Sequence, residues 1–425
     1  MRYFTDDRKW FHSHRFGFFI HWGIYSAGGR HEQAQQRFAI PAEIYEKKAE
    51  KFTAEKFSPD AWLDLAEECG MDYMVLTVKH HDGFCLWDTK ETDFNVMNTP
   101  CGKDLVKLLS DACHKRDFPL ELYYSCVDWH HKAYPNIGRH HEISTDPAFH
   151  NMEEYMDFLK KQIREICTNY GRIHGIWWDM NVPKHEDLSV NELIRSLQSA
   201  AVINNRGYGP GDYSTPERDF QAEGYIPFAH PTEACDSVGS GSWGYRKDED
   251  YFSIRKLERQ IALYLGLGGN FLLNAGPKAD GTFPEEAVTI LKTIGKWYKK
   301  CSSALLAPPC PGVVDGGQNL ICTGGGKELN IILLTNPPAS SLRLAPLKEL
   351  PCKVEFLNDP SKKIEATLEP TPYTMGLPEA LRLRNLPINE MNDEVAVLKL
   401  TFEKEVIFPD LSLLKEDNSS IAAHG

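Results

Sequence analysis

No part of the chain restricts the fold more than Ile173-His174-Gly175-Ile176-Trp177-Trp178-Asp179, an apolar run that climbs to two tryptophans and stops at an acid. Asn181, Val182 and Pro183 follow, and would end any strand. A short run this apolar reads as a strand buried in a parallel sheet. Such a strand delivers its last side chain to the carboxyl edge, where α/β enzymes hold their chemistry. Asp179 then has two readings: it forms the next turn, or it faces a pocket in which the tryptophan rings receive an apolar face of a ligand.

The same grammar repeats on both sides. Arg15 to Gly23 is an apolar run that presents His21 at its exit. Ser58 caps a helix with Pro59 in its first turn, Trp62, Leu65 and Ala66 at helical spacing, and Gly70 at its end. Tyr73 to Lys79 is a second strand, exiting into His80-His81-Asp82-Gly83. A helix over 103–117 turns Leu105, Val106, Leu108, Leu109 and Ala112 to one face, Leu120 to Ser125 is a third strand, and 152–170 is an amphipathic helix leading to Asp179. Ser189 and Glu192 have the spacing of a capping box, and the strand Ala200 to Arg206 exits in an arginine. A helix over 253–265, a strand over 270–277 and a helix over 284–300 complete the series. Residues 207–251 lack a period and read as loops around short strands, and the His-rich stretch 129–141 is long enough to roof a pocket.

Strand then helix, repeated over about 300 residues with polar exits, is the pattern of a (β/α)8-like barrel, assigned to 1–305. From Pro308 the pattern changes: 329–334, 353–357, 364–368 and 395–402 are strands with no convincing helix between them. Residues 306–425 therefore read as a C-terminal antiparallel β-sandwich, frayed over 416–425. The fold class is α/β with an appended β domain.

Composition narrows the function. The 47 basic against 60 acidic residues give a formal charge of −13, so a phosphate backbone is repelled and nucleic acid is not an expected partner. No run of eighteen apolar residues and no basic-then-apolar leader appears, so neither a membrane nor export is expected and a cytoplasmic setting fits. Eleven scattered cysteines, an odd number without a Cys-x-x-Cys pair, argue against a disulfide framework and a thiolate zinc site. The excess of large rings suggests platforms for a sugar or oligosaccharide. A homo-oligomer stays open.

The strand exits gather His21, His80, His81, Tyr124, Asp179 and Arg206 on one face, with Glu217 from the loop that follows. Two carboxylates at one barrel mouth suit glycosidic bond cleavage, which uses one ionised acid behind the anomeric carbon and one protonated acid beside the leaving oxygen. Glu217 by itself could be a turn residue after Pro216, and Glu233 is a second acid in the same region.

Phe16-Gly17-Phe18-Phe19-Ile20-His21-Trp22-Gly23, Lys79-His80-His81-Asp82-Gly83-Phe84, Trp177-Trp178-Asp179, Thr215-Pro216-Glu217 and Ser242-Trp243-Gly244-Tyr245 together resemble the α-L-fucosidases of glycoside hydrolase family 29. The likeness runs over roughly residues 8 to 305 and rests on several motifs in the family's order. It implies a retaining exo-glycosidase without a cofactor, with Asp179 as nucleophile and Glu217, or Glu233, as acid/base. It also implies a sugar site made by His21, Glu32, His80, His81, Tyr124, Trp177, Arg206 and Trp243. Where the family commonly has Glu-Trp-Tyr, this chain has Glu32-Gln33-Ala34, which opens a related α-L-galactoside or α-L-glucoside as substrate. The rival readings are a metal-dependent barrel hydrolase using His12-Ser13-His14, and a non-catalytic sugar-binding protein. The first is disfavoured because His12 and His14 precede the first strand and should sit at the far end of a barrel. The second would require a missing carboxylate. Histidines 130, 131, 140 and 141 read as solvated loop.

Overall fold

The computed structural model describes residues 4–137, 143, 145–218, 225–310, 319–344, 347, 349–369, 380–391 and 393–406. Seven parallel strands form one curled sheet: β1 (Phe16–Ile20), β2 (Tyr73–Lys79), β3 (Leu120–Ser125), β4 (Gly175–Asp179), β5 (Val202–Ile203), β6 (Glu233–Ser237) and β7 (Asn270–Ala275), in the order β5-β4-β3-β2-β1-β7-β6. The gap between β5 and β6 is spanned by 213–217, an irregular eighth strand that bridges Asn204 through Tyr213, Thr232 through Ser214 and Cys235 through Glu217, all in the parallel sense. The barrel is thereby closed, and Glu217 falls at the carboxyl end of a wall segment rather than on a free loop.

Four single-turn helices, α1 (Trp10–Ser13), α2 (Tyr25–Gly28), α3 (Ala34–Arg37) and α4 (Ala42–Tyr45), precede the layer that wraps the sheet. That layer is α5 (Pro59–Glu68), α6 (Leu105–Lys115), α7 (Met152–Thr168), α8 (Leu188–Leu197), α9 (Ile254–Gly266) and α10 (Glu285–Leu305). The start of α5 is made as its residues dictate, with the Ala61 N–H donating to Ser58 Oγ and Pro59 in the first turn. The start of α8 differs from expectation: Asp187, not Ser189, is the cap, and its carboxylate accepts from the Ser189 N–H and hydroxyl. An ionised carboxylate at a helix N-terminus gains from the dipole as well as from the hydrogen bond. Leu108, expected on the buried face of α6, is 41% exposed.

Strand parity divides the apolar residues into two cores. Phe19, Tyr73, Val75, Tyr123, Trp177, Val202, Cys235 and Leu272 fill the barrel interior, and Trp10 and Phe11 of α1 pack with them. Their neighbours one residue along, among them Ile20, Met74, Tyr124, Trp178 and Ile203, pack outward against the helices. A parallel strand buried on both faces supplies both sets.

The C-terminal region is a sandwich of two antiparallel sheets. Besides β9 (Glu328–Leu333), β11 (Lys353–Phe356), β12 (Glu365–Glu369) and β14 (Ala396–Thr401), which match the expected strands, it contains β8 (Leu320–Gly325), β10 (Ser341–Leu344) and β13 (Ala380–Arg384). The sheet orders are β11-β14-β9-β8 and β10-β13-β12. Ile321, Ile332, Val395 and Val397 join the core that α9 and α10 share with the barrel, and the Trp297 indole donates to the Val395 carbonyl at 2.8 Å. Among the described residues no helix is long and apolar enough to cross a membrane. The expected fraying over 416–425 lies outside the described residues.

Candidate active site

At the carboxyl end of the barrel, three elements deliver one charged cluster. Asp179 is the last residue of β4, Arg206 follows β5, and Glu217 ends the irregular strand. The Arg206 Nη1 donates to Asp179 Oδ1 at 3.0 Å and to Glu217 Oε2 at 3.1 Å. Sharing one nitrogen keeps those two oxygens within about 6 Å of each other, as two carboxylates acting on one anomeric centre require. Arg206 is itself held by Thr215, whose Oγ1 and carbonyl each accept at 2.7 Å, and by the Trp177 ring, whose centroid lies 4.8 Å from the guanidinium carbon.

The two carboxylates have unlike surroundings. Asp179 Oδ2 also accepts from the Tyr123 hydroxyl at 2.7 Å and lies 3.8 Å from His81 Nε2. Burial works to raise its pKa, but Arg206, His81 and the Tyr123 hydrogen bond outweigh it and hold Asp179 below the ordinary aspartate value. Among the described residues Glu217 takes only the Arg206 bond, and it is more open, its side chain 29% exposed against 13% for Asp179.

Inward of this pair the wall is imidazole and indole. His21 Nδ1 lies 2.7 Å from Asn274 Oδ1. The Asn274 amide nitrogen is already committed to Ser237 Oγ and the Trp243 carbonyl, so its oxygen faces His21 and requires Nδ1 to carry the proton. Burial pushes His21 down to about 4, so the ring is neutral near pH 7 and Nε2 is its acceptor. His80 stacks on Tyr123 with the rings 8° from parallel, and His81 Nδ1 meets Ser125 Oγ at 2.6 Å. Glu32 is fully buried, and its Oε2 accepts from the Ser242 hydroxyl and from the N–H groups of Trp243 and Gly244. It thereby fixes the loop that lays the Trp243 ring 5.3 Å from His21. The cavity so enclosed measures about 290 Å³.

Asp179, Glu217, His21, Glu32, His80, His81, Trp177, Arg206 and Trp243 all line this cavity, as expected from the sequence. Tyr124 does not. Its hydroxyl donates to Gln162 of α7 and accepts from Lys79, on the helix side of the sheet. The tyrosine at the site is Tyr123, paired in register with Trp177 and therefore on the same inward face. Glu233 is also misplaced by the sequence reading. It opens β6 at the amino end of the barrel, where the Tyr73 hydroxyl and the Trp177 indole donate to its two oxygens. His31, Arg37 and Arg218 also line the cavity and carried no period or motif that would have marked them. His12 and His14 lie before β1, His12 accepting from the Phe4 N–H. No group of His, Cys, Asp and Glu able to hold a metal occurs among the described residues. His130 is only partly solvated: it meets Glu46 at 2.8 Å and stacks on Phe94, while His131 packs on Phe158. His140 and His141 lie outside the described residues.

A barrel whose carboxyl face holds two carboxylates on one guanidinium, above a cavity walled by imidazoles and tryptophans, is the framework of a glycoside hydrolase. The family model for alpha-L-fucosidase matches residues 5–302, and the chain belongs to the α-L-fucosidase family. The tissue alpha-L-fucosidase of Rattus norvegicus is 30% identical over 332 residues, 70% of each chain. That of Homo sapiens is 29% identical over 331 residues, 70% of this chain and 69% of the other. Among solved structures, alpha-L-fucosidase isoenzyme 1 from Paenibacillus thiaminolyticus superposes with a TM-score of 0.79 at 28% identity, covering 95% of this chain and all of the other. The alpha-L-fucosidase from Vibrio sp. strain EJY3 gives 0.83 at 25%, covering 96% of this chain and 74% of the other.

Proposed function

We propose that this member of the family hydrolyses terminal α-L-fucosides with retention of configuration, Asp179 acting as nucleophile and Glu217 as acid/base. The observation that carries the reading is the single Arg206 nitrogen on both carboxylates. In the first step an Asp179 oxygen attacks the anomeric carbon while Glu217 gives a proton to the departing oxygen, leaving a covalent glycosyl-enzyme. In the second, Glu217 takes a proton from water, which attacks the same carbon and frees Asp179. The hydrogen bonds of Tyr123 and Arg206 keep Asp179 ionised for attack. His21, through Nε2, accepts from a sugar hydroxyl, and the Trp243 and Trp177 rings offer apolar surface to the ring carbons and methyl group. The buried inner wall leaves space for one end of a chain, which makes the action exo. The test is proton NMR of the first sugar released from an aryl α-L-fucoside. The α anomer is expected, and the β anomer would overturn the mechanism.

A second reading concerns the sugar. Gln33 lines the cavity whereas Ala34 is buried elsewhere, so of the two positions that depart from Glu-Trp-Tyr only 33 changes the wall. Gln33 Oε1 accepts from Arg37 Nε at 3.1 Å. An amide is smaller than an indole and both donates and accepts, which suits a substituent at C6 or an altered hydroxyl, as in an α-L-galactoside or α-L-glucoside. Rejecting one added hydroxyl at an apolar wall is worth only about 1 to 3 kcal/mol. Specificity constants for matched aryl α-L-fucoside, α-L-galactoside and α-L-glucoside, in wild type and Gln33→Trp, decide it. Wild type should accept the wider set and the variant should narrow it, and strict fucoside preference in both would refute the reading.

A further inference from the structure

Burial runs in one direction along the cavity. The inner residues are buried, Glu217 is partly open, and beyond it the wall is Arg218, half-buried, and Arg37, exposed. Both arginines line the same cavity as Glu217, at its more exposed end. Neither makes an ion pair with a carboxylate among the described residues: Arg37 donates to Gln33, and Arg218 donates to the Ser240 carbonyl and covers the Trp243 ring at 4.9 Å. Together with Arg246 they act on buried His31, whose pKa burial lowers against the opposing carboxylate of Glu32, with the three arginines adding to the lowering. Arg218 is also placed at a cost. Its backbone is left-handed, φ 58°, with its N–H on the Cys235 carbonyl and its own carbonyl taken by Gln260. A non-glycine residue held in that region marks a position the surroundings over-determine. In a chain of net charge −13, two cations that line a cavity with no acidic partner among the described residues are a local exception.

Building on the fucosidase reading, we propose that Arg37 and Arg218 form a leaving-group subsite that selects fucosides whose aglycone carries an anionic group, a carboxylate or a sulfo group, a few ångströms beyond the scissile oxygen. Guanidiniums suit both, since each offers paired N–H donors to two oxygens. The inner pocket sets which sugar is cleaved and this pair sets from what.

Three aryl α-L-fucosides test it, with 4-(carboxymethyl)phenyl, 4-(sulfomethyl)phenyl and neutral 4-(carbamoylmethyl)phenyl aglycones, in which the methylene keeps the phenols close in leaving ability. For wild type at low salt, kcat/KM for an anionic over the neutral substrate should be about three- to tenfold, as two partly exposed charge pairs allow. The ratio should fall toward one in added salt, and fall in both Arg37→Gln and Arg218→Gln. Preference for both anions identifies a general anion site, and preference for one identifies the oxygen geometry it reads. A ratio at or below one, or one unmoved by salt and by both substitutions, overturns the proposal while leaving the fucosidase reading intact. If none of the three substrates is cleaved, the fucosidase reading has failed and this one falls with it.

Discussion

Tyr123 and Tyr124 are one residue apart and do different work. Tyr123 points into the barrel and donates to Asp179, whereas Tyr124 points to the helices and joins Lys79 to Gln162. Choosing between them from sequence required the parity of β3, and the apolar pattern of Leu120 to Ser125 has none, because both faces are buried. The register with β4 would have decided it, since Tyr123 lies beside Trp177. Tyr123→Phe removes a hydrogen bond to an ionised group, worth about 1.5 to 3 kcal/mol, so kcat/KM should fall roughly 10- to 100-fold. It should also raise the Asp179 pKa, since that bond helps lower it, and the acid limb of the pH–rate profile should move to higher pH. Tyr124→Phe should leave kcat/KM within about twofold and instead lower the melting temperature, because buried Gln162 loses a donor. Equal kinetic damage from both substitutions would refute the division. Asp179, Arg206 and the histidines were legible because each ends an apolar run. Arg37 and Arg218 were not, because an arginine in an aperiodic stretch looks the same on a solvated loop.

At the scale of elements, the strands with continuous apolar runs were readable to within about three residues, and those made of polar residues were not. The irregular strand over 213–217, Tyr-Ser-Thr-Pro-Glu, reads as a turn, yet its bridges to Asn204, Thr232 and Cys235 close the barrel and carry Glu217 to the mouth. β6 begins with an acid, which made Glu233 look like a loop residue. It sits instead in the lower barrel with Glu121, whose Oε2 accepts from Tyr213 and whose Oε1 is unpartnered. Burial raises Glu233 to about 7, against the hydrogen bonds of Tyr73 and Trp177, and raises Glu121 well above its ordinary range. A carboxyl with a raised folded pKa favours the fold while it is neutral. Its contribution is therefore whole below about 4.5, the value of a free glutamate, and is lost as pH climbs through about 7. Glu233→Gln keeps an acceptor for Trp177 and cannot ionise, so its melting temperature should fall less steeply than that of wild type between those two values. Parallel curves for the two proteins would exclude Glu233 as the cause.

At the scale of the molecule, the barrel and the sandwich share apolar surface. Val395 lies where both meet: its carbonyl accepts from Trp297 and its N–H donates to Glu258 of α9. The sandwich was legible as a class from strands separated by Pro, Gly and Asn, but β8, β10 and β13 were not. β8 ends in Gly324-Gly325, which reads as a turn, and β10 offers only four residues, with buried Leu342 and Leu344 alternating with Ser341 and Arg343. No described residue of the sandwich lines the active-site cavity, so the chemistry is assigned to the barrel and, at its centre, to Asp179. Intact-protein and peptide mass spectrometry after incubation with 2-deoxy-2-fluoro-α-L-fucosyl fluoride tests that directly, because the 2-fluorine slows both formation and breakdown of a covalent intermediate while the good leaving group at the anomeric carbon restores only its formation. The account predicts one added 2-fluorofucosyl group per chain, carried on Asp179 and absent in Asp179→Ala. A label on any other side chain, or release of the sugar with no covalent adduct, would contradict it.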